Sequence, residues 1–277
     1  MEINKRIIEL LNNVKEKNPL VHHITNYVTV NDCANITLAI GGSPVMAEDI
    51  NEVRDMVSLS SSLVINIGTL NSVSVGSMIE AGKRANELNI PVILDPVGAG
   101  ATIYRTETSK RIISEVKLAV IRGNLSEIKT LYGMETKTKG VDACVSVSTD
   151  GNELTEEKEL AKALANKLNI VIAITGAIDI ITDGKTLYTV ENGHKIMAKV
   201  TGTGCMCTSL IGSYLGAGDN NLLAALAGIV SMGIAGEIAY EGLDKNDGTG
   251  TLKVKMLDAI YNLSEVVIMK RSKINEE

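Results

Sequence analysis

The stretch "VTGTGCM" (200–206) sets two glycines and a cysteine at the start of a pattern in which Met206, Leu210 and Tyr214 recur at helical spacing. A glycine turn leading into a helix N-terminus gathers backbone N–H groups on an anion, and the helix dipole adds to the attraction. Gly202, Thr203 and Gly204 are therefore a candidate nest for the charge that develops on a transferred phosphoryl group. An ordinary strand-to-helix turn would use the same residues, and both readings stay open. Cys205 stands at that N-terminus, where a thiol is expected to have a lowered pKa. It could be a nucleophile, a base or a small packed residue. Cys207 lies two residues on, off the same helix face, and no Cys-x-x-Cys offers zinc a second pair.

Two further stretches carry acids and a cation. "LDPVGAGAT" places Asp95 at a strand end, and "RGNLSE" places Arg122, Asn124 and Glu127 at another. Asp and Glu at neighbouring strand ends suit Mg²⁺, a hard cation that prefers oxygen and keeps several waters. Asn124 and Glu127 equally fit a helix N-cap and its capping box. Arg122 interrupts an apolar run at a strand end and points to an anionic partner such as a nucleotide phosphate. "VHHITNYVTVNDCAN" holds two of the three histidines; His22 reads as a hydrogen-bonding residue near a strand end rather than a catalyst. Asn26 and Met46 read as lining a pocket. Known nucleotide fingerprints fail. Gly184-Lys185-Thr186 has the tail of a Walker A motif, but Asp179 stands where its first glycine belongs. Cys207 and Ile103 stand where a dinucleotide fingerprint needs its third glycine.

These residues must be held by the elements around them. Short apolar runs, "LVHHI" (20–24), "LVINIG" (63–68), "PVILDP" (91–96), "LAVIRG" (118–123) and "IVIAITG" (170–176), read as strands buried on both faces. Helical patterns separate or follow them at 29–40, 51–59, 73–89, 105–116, 124–132 and 154–168. Such alternation predicts an α/β fold with a mostly parallel sheet covered by helices. "AIDIIT" and "TLYTV" around "DGK" read as a hairpin, "IMAKV" (196–200) as a short strand, and 203–217, 221–241 and 251–264 as closing helices. With no linker and no repeat, one domain is expected over 1–277. Ligands of open α/β sheets sit at the carboxyl ends of strands. Here those ends read "HHITN", "NIGT", "DPVGAGAT", "RGNLSE" and "TGA".

Composition narrows the class. The 277 residues are 45% hydrophobic but contain no Phe and no Trp, so the core is aliphatic and aromatic stacking on bases is disfavoured. A net charge of −6 without a basic block argues against nucleic acid as a partner. The first residues, "MEINKRIIELLNNVKEKN", form a charged amphipathic helix without the apolar segment of a signal peptide. The run Leu222 to Gly236 falls short of the roughly 20 residues that span a bilayer and reads as a buried helix, so no membrane role is expected. Cys33, Cys144, Cys205 and Cys207 show no disulfide framework. A cytoplasmic enzyme is expected.

Taken together, "HHITNYVTVNDCANITLAIGGSPVMAED", "LDPVGAGAT", "IRGNLSEI", "TGAIDIITDG" and "VTGTGCM" resemble the hydroxyethylthiazole kinase family of the ribokinase-like superfamily. The motifs run in the same order from Pro19 to the last helices. The resemblance implies a three-layer sandwich and ATP-dependent phosphorylation of the hydroxyl of 4-methyl-5-(2-hydroxyethyl)thiazole, a salvage step toward thiamine. It implies substrate contacts at Asn26, Met46, Gly68, Thr69 and Gly202 and ATP contacts at Arg122, Asn124 and Thr175. It implies that Asp95 and Glu127 organise Mg²⁺ and phosphate; beside such a metal, the Gly202–Cys205 turn is expected to carry most of the catalysis as an amide anion hole. The resemblance further implies a homotrimer with the thiazole bound between subunits. Cys205 occupies the place where the wider superfamily carries an Asp base. Loose phosphoryl transfer can manage without early proton removal, so Cys205 is expected to position the alcohol. Two other ribokinase-like readings stay open: a kinase for hydroxymethylpyrimidine or pyridoxal, and a dehydratase acting on hydrated NAD(P)H. Both groups usually carry the Asp.

Overall fold

The apolar runs become strands because β-branched and aliphatic side chains fill both faces of a sheet. The computed structural model describes residues 2–133 and 151–277; Cys144 lies outside them. Six strands, β1 (Leu20–Ile24), β2 (Ser43–Met46), β3 (Ser62–Asn66), β4 (Val92–Asp95), β5 (Val120–Asn124) and β6 (Val171–Thr175), run parallel. Then β7 (Asp179–Thr182), β8 (Leu187–Val190) and β9 (Ile274–Glu276) continue the sheet antiparallel. The order across the sheet is β2-β1-β3-β4-β5-β6-β7-β8-β9.

Helices cover both faces. On one side lie α1 (Glu2–Lys17), α2 (Val30–Ile40), α8 (Thr203–Ala217), α9 (Asn221–Glu241), α10 (Thr249–Tyr261) and α11 (Glu265–Arg271). On the other lie α3 (Val53–Ser58), α4 (Ser72–Glu87), α5 (Ile103–Glu115), α6 (Leu125–Tyr132) and α7 (Gly151–Leu168). The strands serve both layers by alternation: Val64 and Ile93 join the first core, while Leu63, Ile65, Val92 and Leu94 join the second. α9 is long and apolar enough to cross a membrane by length and composition, but it packs against α1, α8 and α10, and 78% of its most apolar stretch is buried. Its apolar residues are core.

The strand expected at 196–200 is instead a single 3₁₀ turn, Lys195–Lys199. His194 starts it by accepting the Ile196 N–H on its ring nitrogen. Five residues are too few for alternation to separate a strand from one helical turn. The reading of the sequence omitted β2, β9 and α11. The first two are edge strands, short and only partly buried, so they lack the continuous apolar signature; Pro44 is tolerated in β2 because an edge has unpaired positions.

The chain leaves β1 toward β2 on one side and returns to β3 on the other. A crevice opens at such a reversal of winding, beyond the carboxyl ends of the strands. The loops after β1 and β3 border it. α8 runs beneath them, packed across β1, β3 and β4.

Candidate active site

The start of α8 lacks a cap. Gly202 has φ +86°, a left-handed conformation that a side chain resists, and no side chain closes the helix. A Cβ there would also meet the Thr29 side chain at 2.6 Å. The first helical bond runs from Met206 N to Gly202 O, so the N–H groups of Thr203, Gly204 and Cys205 precede the ladder. Arg122 lies against this end. A Cβ on Gly204 would stand 2.6 Å from its Nη1, so only glycine lets the guanidinium come so close. A cation beside the positive end of a helix dipole is repelled unless an anion joins them.

Arg122 is held there by the ends of two strands. Its Nη1 reaches Asp95 Oδ1 at 3.5 Å, and Nη2 donates to Thr175 Oγ1 at 2.5 Å. Its Nε is buried without a partner. Burial opposes its charge, but Asp95 first, then Cys207 and Glu127, hold it protonated. Asp95 is fully buried. Its Oδ2 accepts from Asn66 Nδ2 and from Thr208 Oγ1, both at 2.9 Å. Burial still pushes its carboxyl above the usual range, against the pull of Arg122, Thr208 and Asn66.

Asn124 and Glu127 form the capping box of α6. Asn124 Oδ1 accepts the Glu127 N–H at 2.9 Å, and Glu127 Oε2 accepts the Asn124 N–H at 2.8 Å. Glu127 Oε1 accepts the Gly98 N–H at 2.8 Å, so both its oxygens are engaged. Burial and then Asp95 push Glu127 up to about 7, although the Gly98 and Asn124 bonds pull the other way.

On the other flank, Asn26 is buried and Gly68, Thr69 and Met46 are half-buried. Thr69 Oγ1 accepts the Tyr27 N–H at 3.3 Å, tying the loops after β3 and β1 together. Met46 ends β2 opposite His23 in the register. The Cys205 sulfur accepts N–H bonds from Asn26 and Asn66, each at 3.3 Å. Burial pushes its thiol up, Asp95 adds to the rise, and the bonds from Thr29, Asn26 and Asn66 pull it down. The expected lowering at the helix N-terminus is thus corrected: taking a thiolate out of water outweighs the dipole. His22 bonds Ala47 O at 2.7 Å and His23 bonds Ser209 Oγ at 3.2 Å, and burial lowers both pKa values. Both rings lie inside the core, and His22 Nδ1 has no hydrogen-bond partner there.

The residues singled out in the sequence gather at the carboxyl ends of neighbouring strands; Met46 is tied to them only through its register opposite His23. Three partners were not foreseen. Asn66 and Thr208 hold Asp95. Arg105, at the start of α5, donates to Ile67 O and Val97 O at 2.9 and 2.6 Å, and to Gly68 O at 2.8 Å, clamping the loops after β3 and β4. The Asn of "NIGT", a polar residue in an otherwise apolar strand run, was a signal that could have found Asn66.

A model of the hydroxyethylthiazole kinase family matches residues 11–266. The chain belongs to the hydroxyethylthiazole kinase family. It is 60% identical over 274 residues to hydroxyethylthiazole kinase of Clostridium tetani, covering 99% of both chains. The structure of the hydroxyethylthiazole kinase protein of Pyrococcus horikoshii superposes with a TM-score of 0.88 at 41% identity over 99% of each chain. The Staphylococcus aureus pyridoxal kinase solved with ADP superposes at 0.62 with 12% identity, over 93% of this chain and 97% of that one, which shows the shared ribokinase-like fold alone. The three-layer sandwich expected from the sequence is the one observed. The chain is a kinase of this family, acting on a small molecule with ATP.

Proposed function

We propose that the chain transfers the γ-phosphoryl group of ATP to the hydroxyl of 4-methyl-5-(2-hydroxyethyl)thiazole, in salvage of the thiazole for thiamine. The observation that carries this reading is the uncapped N-terminus of α8 facing Arg122. Three N–H groups and a guanidinium share one space and suit the charge spread over a phosphoryl group in flight. Arg122 and Thr175 contact ATP, with Asn124 beside them. Asn26, Met46, Gly68, Thr69 and Gly202 surround the thiazole.

The residues fit a Mg²⁺ that keeps most of its water. Glu127 has both oxygens on N–H groups, Asp95 has one oxygen uncommitted to short bonds, and no cluster of three or more acidic, His or Cys side chains forms among the described residues. Such a site would carry the ion on the nucleotide phosphates rather than in a protein cage. Asp95 and Glu127 would hold it through water, and when bound it supplies positive charge against the phosphates. A thiol raised by burial is a poor base at neutral pH, which supports Cys205 positioning the alcohol rather than taking its proton.

We place the reaction in the cytoplasm, in a homotrimer with the thiazole bound between subunits. Tyr27 (79% exposed), Val73 (66%) and Ile103 (84%), all near the strand ends, support an apolar contact there. Light scattering tests the assembly.

ATP consumption with hydroxyethylthiazole, run beside hydroxymethylpyrimidine and pyridoxal, tests the activity. Turnover is expected with the thiazole, and its absence overturns the reading. Cys205→Ser and Cys205→Asp should both retain measurable kcat. Complete loss in both would make the thiol itself essential.

A further inference from the structure

The hydrogens around the Cys205 sulfur are fixed by two backbone donors. Gly68 N–H donates to Asn66 Oδ1 at 2.9 Å, so the other end of that amide is its NH₂. This NH₂ donates to Asp95 Oδ2 at 2.9 Å and to Cys205 Sγ at 3.3 Å. Thr29 N–H likewise donates to Asn26 Oδ1 at 3.1 Å. The Asn26 NH₂ then donates to Asn66 Oδ1 at 2.9 Å and to Cys205 Sγ at 3.3 Å. A main-chain N–H can only donate, so neither amide can be turned over without leaving a donor facing a donor. Both asparagines are buried, at 1% exposure for Asn66 and 4% for Asn26, where such a mismatch is expensive. The sulfur therefore accepts two N–H bonds, and neither amide can take its hydrogen; Thr29 Oγ1, whose own hydrogen goes to Asn26 Oδ1 at 3.0 Å, is the third polar group beside it.

We propose that Asn66 is a positioning residue for phosphoryl transfer. With Asn26, it fixes the Cys205 sulfur as an acceptor and turns the thiol hydrogen away from both amides, leaving it to Thr29 Oγ1 or to the incoming alcohol. The proposal deepens the reading in which Cys205 positions that alcohol, and it rests on that reading. Asp95 takes part by holding the Asn66 amide from the far side. A sulfur with two N–H groups on its lone pairs is ill placed to accept a third proton and well placed to offer its own.

Two measurements on the full chain test this. The first needs no turnover: the pH profile of Cys205 alkylation by iodoacetamide, followed by the mass of the Cys205 peptide. Each N–H on sulfur favours the thiolate, so in Asn66→Ala and in Asn26→Ala the midpoint should rise by about one pH unit. A midpoint that stays put in both folded variants overturns the proposal, whatever the substrate. The second is a double-mutant cycle. Asn66→Ala should lower kcat about tenfold in the native background and less than about twofold beside Cys205→Ala. Equal losses in both backgrounds would mean that Asn66 acts through Asp95 or through packing and not through the sulfur, and would overturn the proposal. Failure of the native chain to turn over the thiazole would instead remove the functional reading and leave the alkylation result standing. Asn66→Ser, which keeps a polar atom near the Gly68 N–H but is too short to bridge to sulfur, serves in place of Ala if Ala does not fold.

Discussion

Two helices, α6 and α8, begin within reach of Arg122, and they begin in opposite ways. α6 closes itself: Asn124 and Glu127 exchange bonds with each other's N–H groups, and Glu127 also takes the Gly98 N–H. α8 starts on a left-handed glycine with no side-chain cap. The helices α4, α5 and α9 are capped by Asn71, Thr102 and Asn220, whereas α2, α3, α10 and α11, like α8, have no side-chain cap; what sets α8 apart from these is its left-handed glycine start against Arg122. A capped helix satisfies its own donors and contributes stability. An uncapped one beside a guanidinium keeps its donors for something that arrives later. In the proposed reading, the difference separates the part of the rim that holds the fold from the part offered to the phosphate.

Filling the open end should have the largest effect. In Gly204→Ala the new Cβ displaces the far end of the Arg122 side chain, which the fold tolerates but the anion site does not. Loss of aligned donors predicts kcat down by roughly 10²–10³, with the melting temperature nearly unchanged. A variant with native kcat would mean that the open helix start is only a turn.

Arg122→Lys keeps the charge and loses the planar fork that spans Asp95 and Thr175. A fall in kcat/KM for ATP of about 10- to 100-fold is expected, equal to about 1.4–2.8 kcal/mol. Native kcat/KM would show that charge alone suffices.

On the capped side, changes should read out in stability. Glu127 is raised from 4.5 to about 7, so the folded chain holds its proton more tightly than the unfolded chain. The stability it adds is full below pH 4.5 and is lost as pH rises toward 7. The native chain should therefore lose roughly 2 kcal/mol relative to Glu127→Gln between pH 5 and pH 7. His23, whose pKa is lowered to about 4, gives the opposite slope, but it is common to both chains and cancels. Urea unfolding of both at pH 5 and pH 7 measures the difference, and a constant difference rejects the assignment.

The smallest effect is expected from Asn124→Ala. Loss of the cap should lower stability by about 1 kcal/mol and the melting temperature by about 2–4 °C. The KM for ATP should stay within about threefold if the side chain serves mainly as the cap. A larger rise would mean that the Asn124 NH₂ also contacts the nucleotide.

Much of the fold was legible because parallel strands buried on both faces must be continuous apolar runs, and "LVHHI" and "LVINIG" are such runs. The edge strands β2 and β9 were not, since half-buried edges carry no such pattern. Asp95, Arg122, Glu127 and the glycine turn stood out as polar or small residues at strand ends. Arg105 did not, because a helical arginine that clamps distant carbonyls looks like any solvated one.

By itself the sequence determined the α/β alternation, the strand ends that bear the site, the family, and the capping box, whose partners are three residues apart. Those are local properties of periodicity and short spacing. Only the tertiary structure decided how Cys205 behaves. Register puts Asn66 beside Asp95, and the packing of α8 across β1, β3 and β4 brings Cys205 up to Asn66 and to Asn26 in the loop after β1. The four are 29 to 179 residues apart along the chain, and burial of the whole set sets the thiol's acidity against the helix dipole. Long-range proximity and desolvation are properties of the packed interior, and no local pattern encodes them.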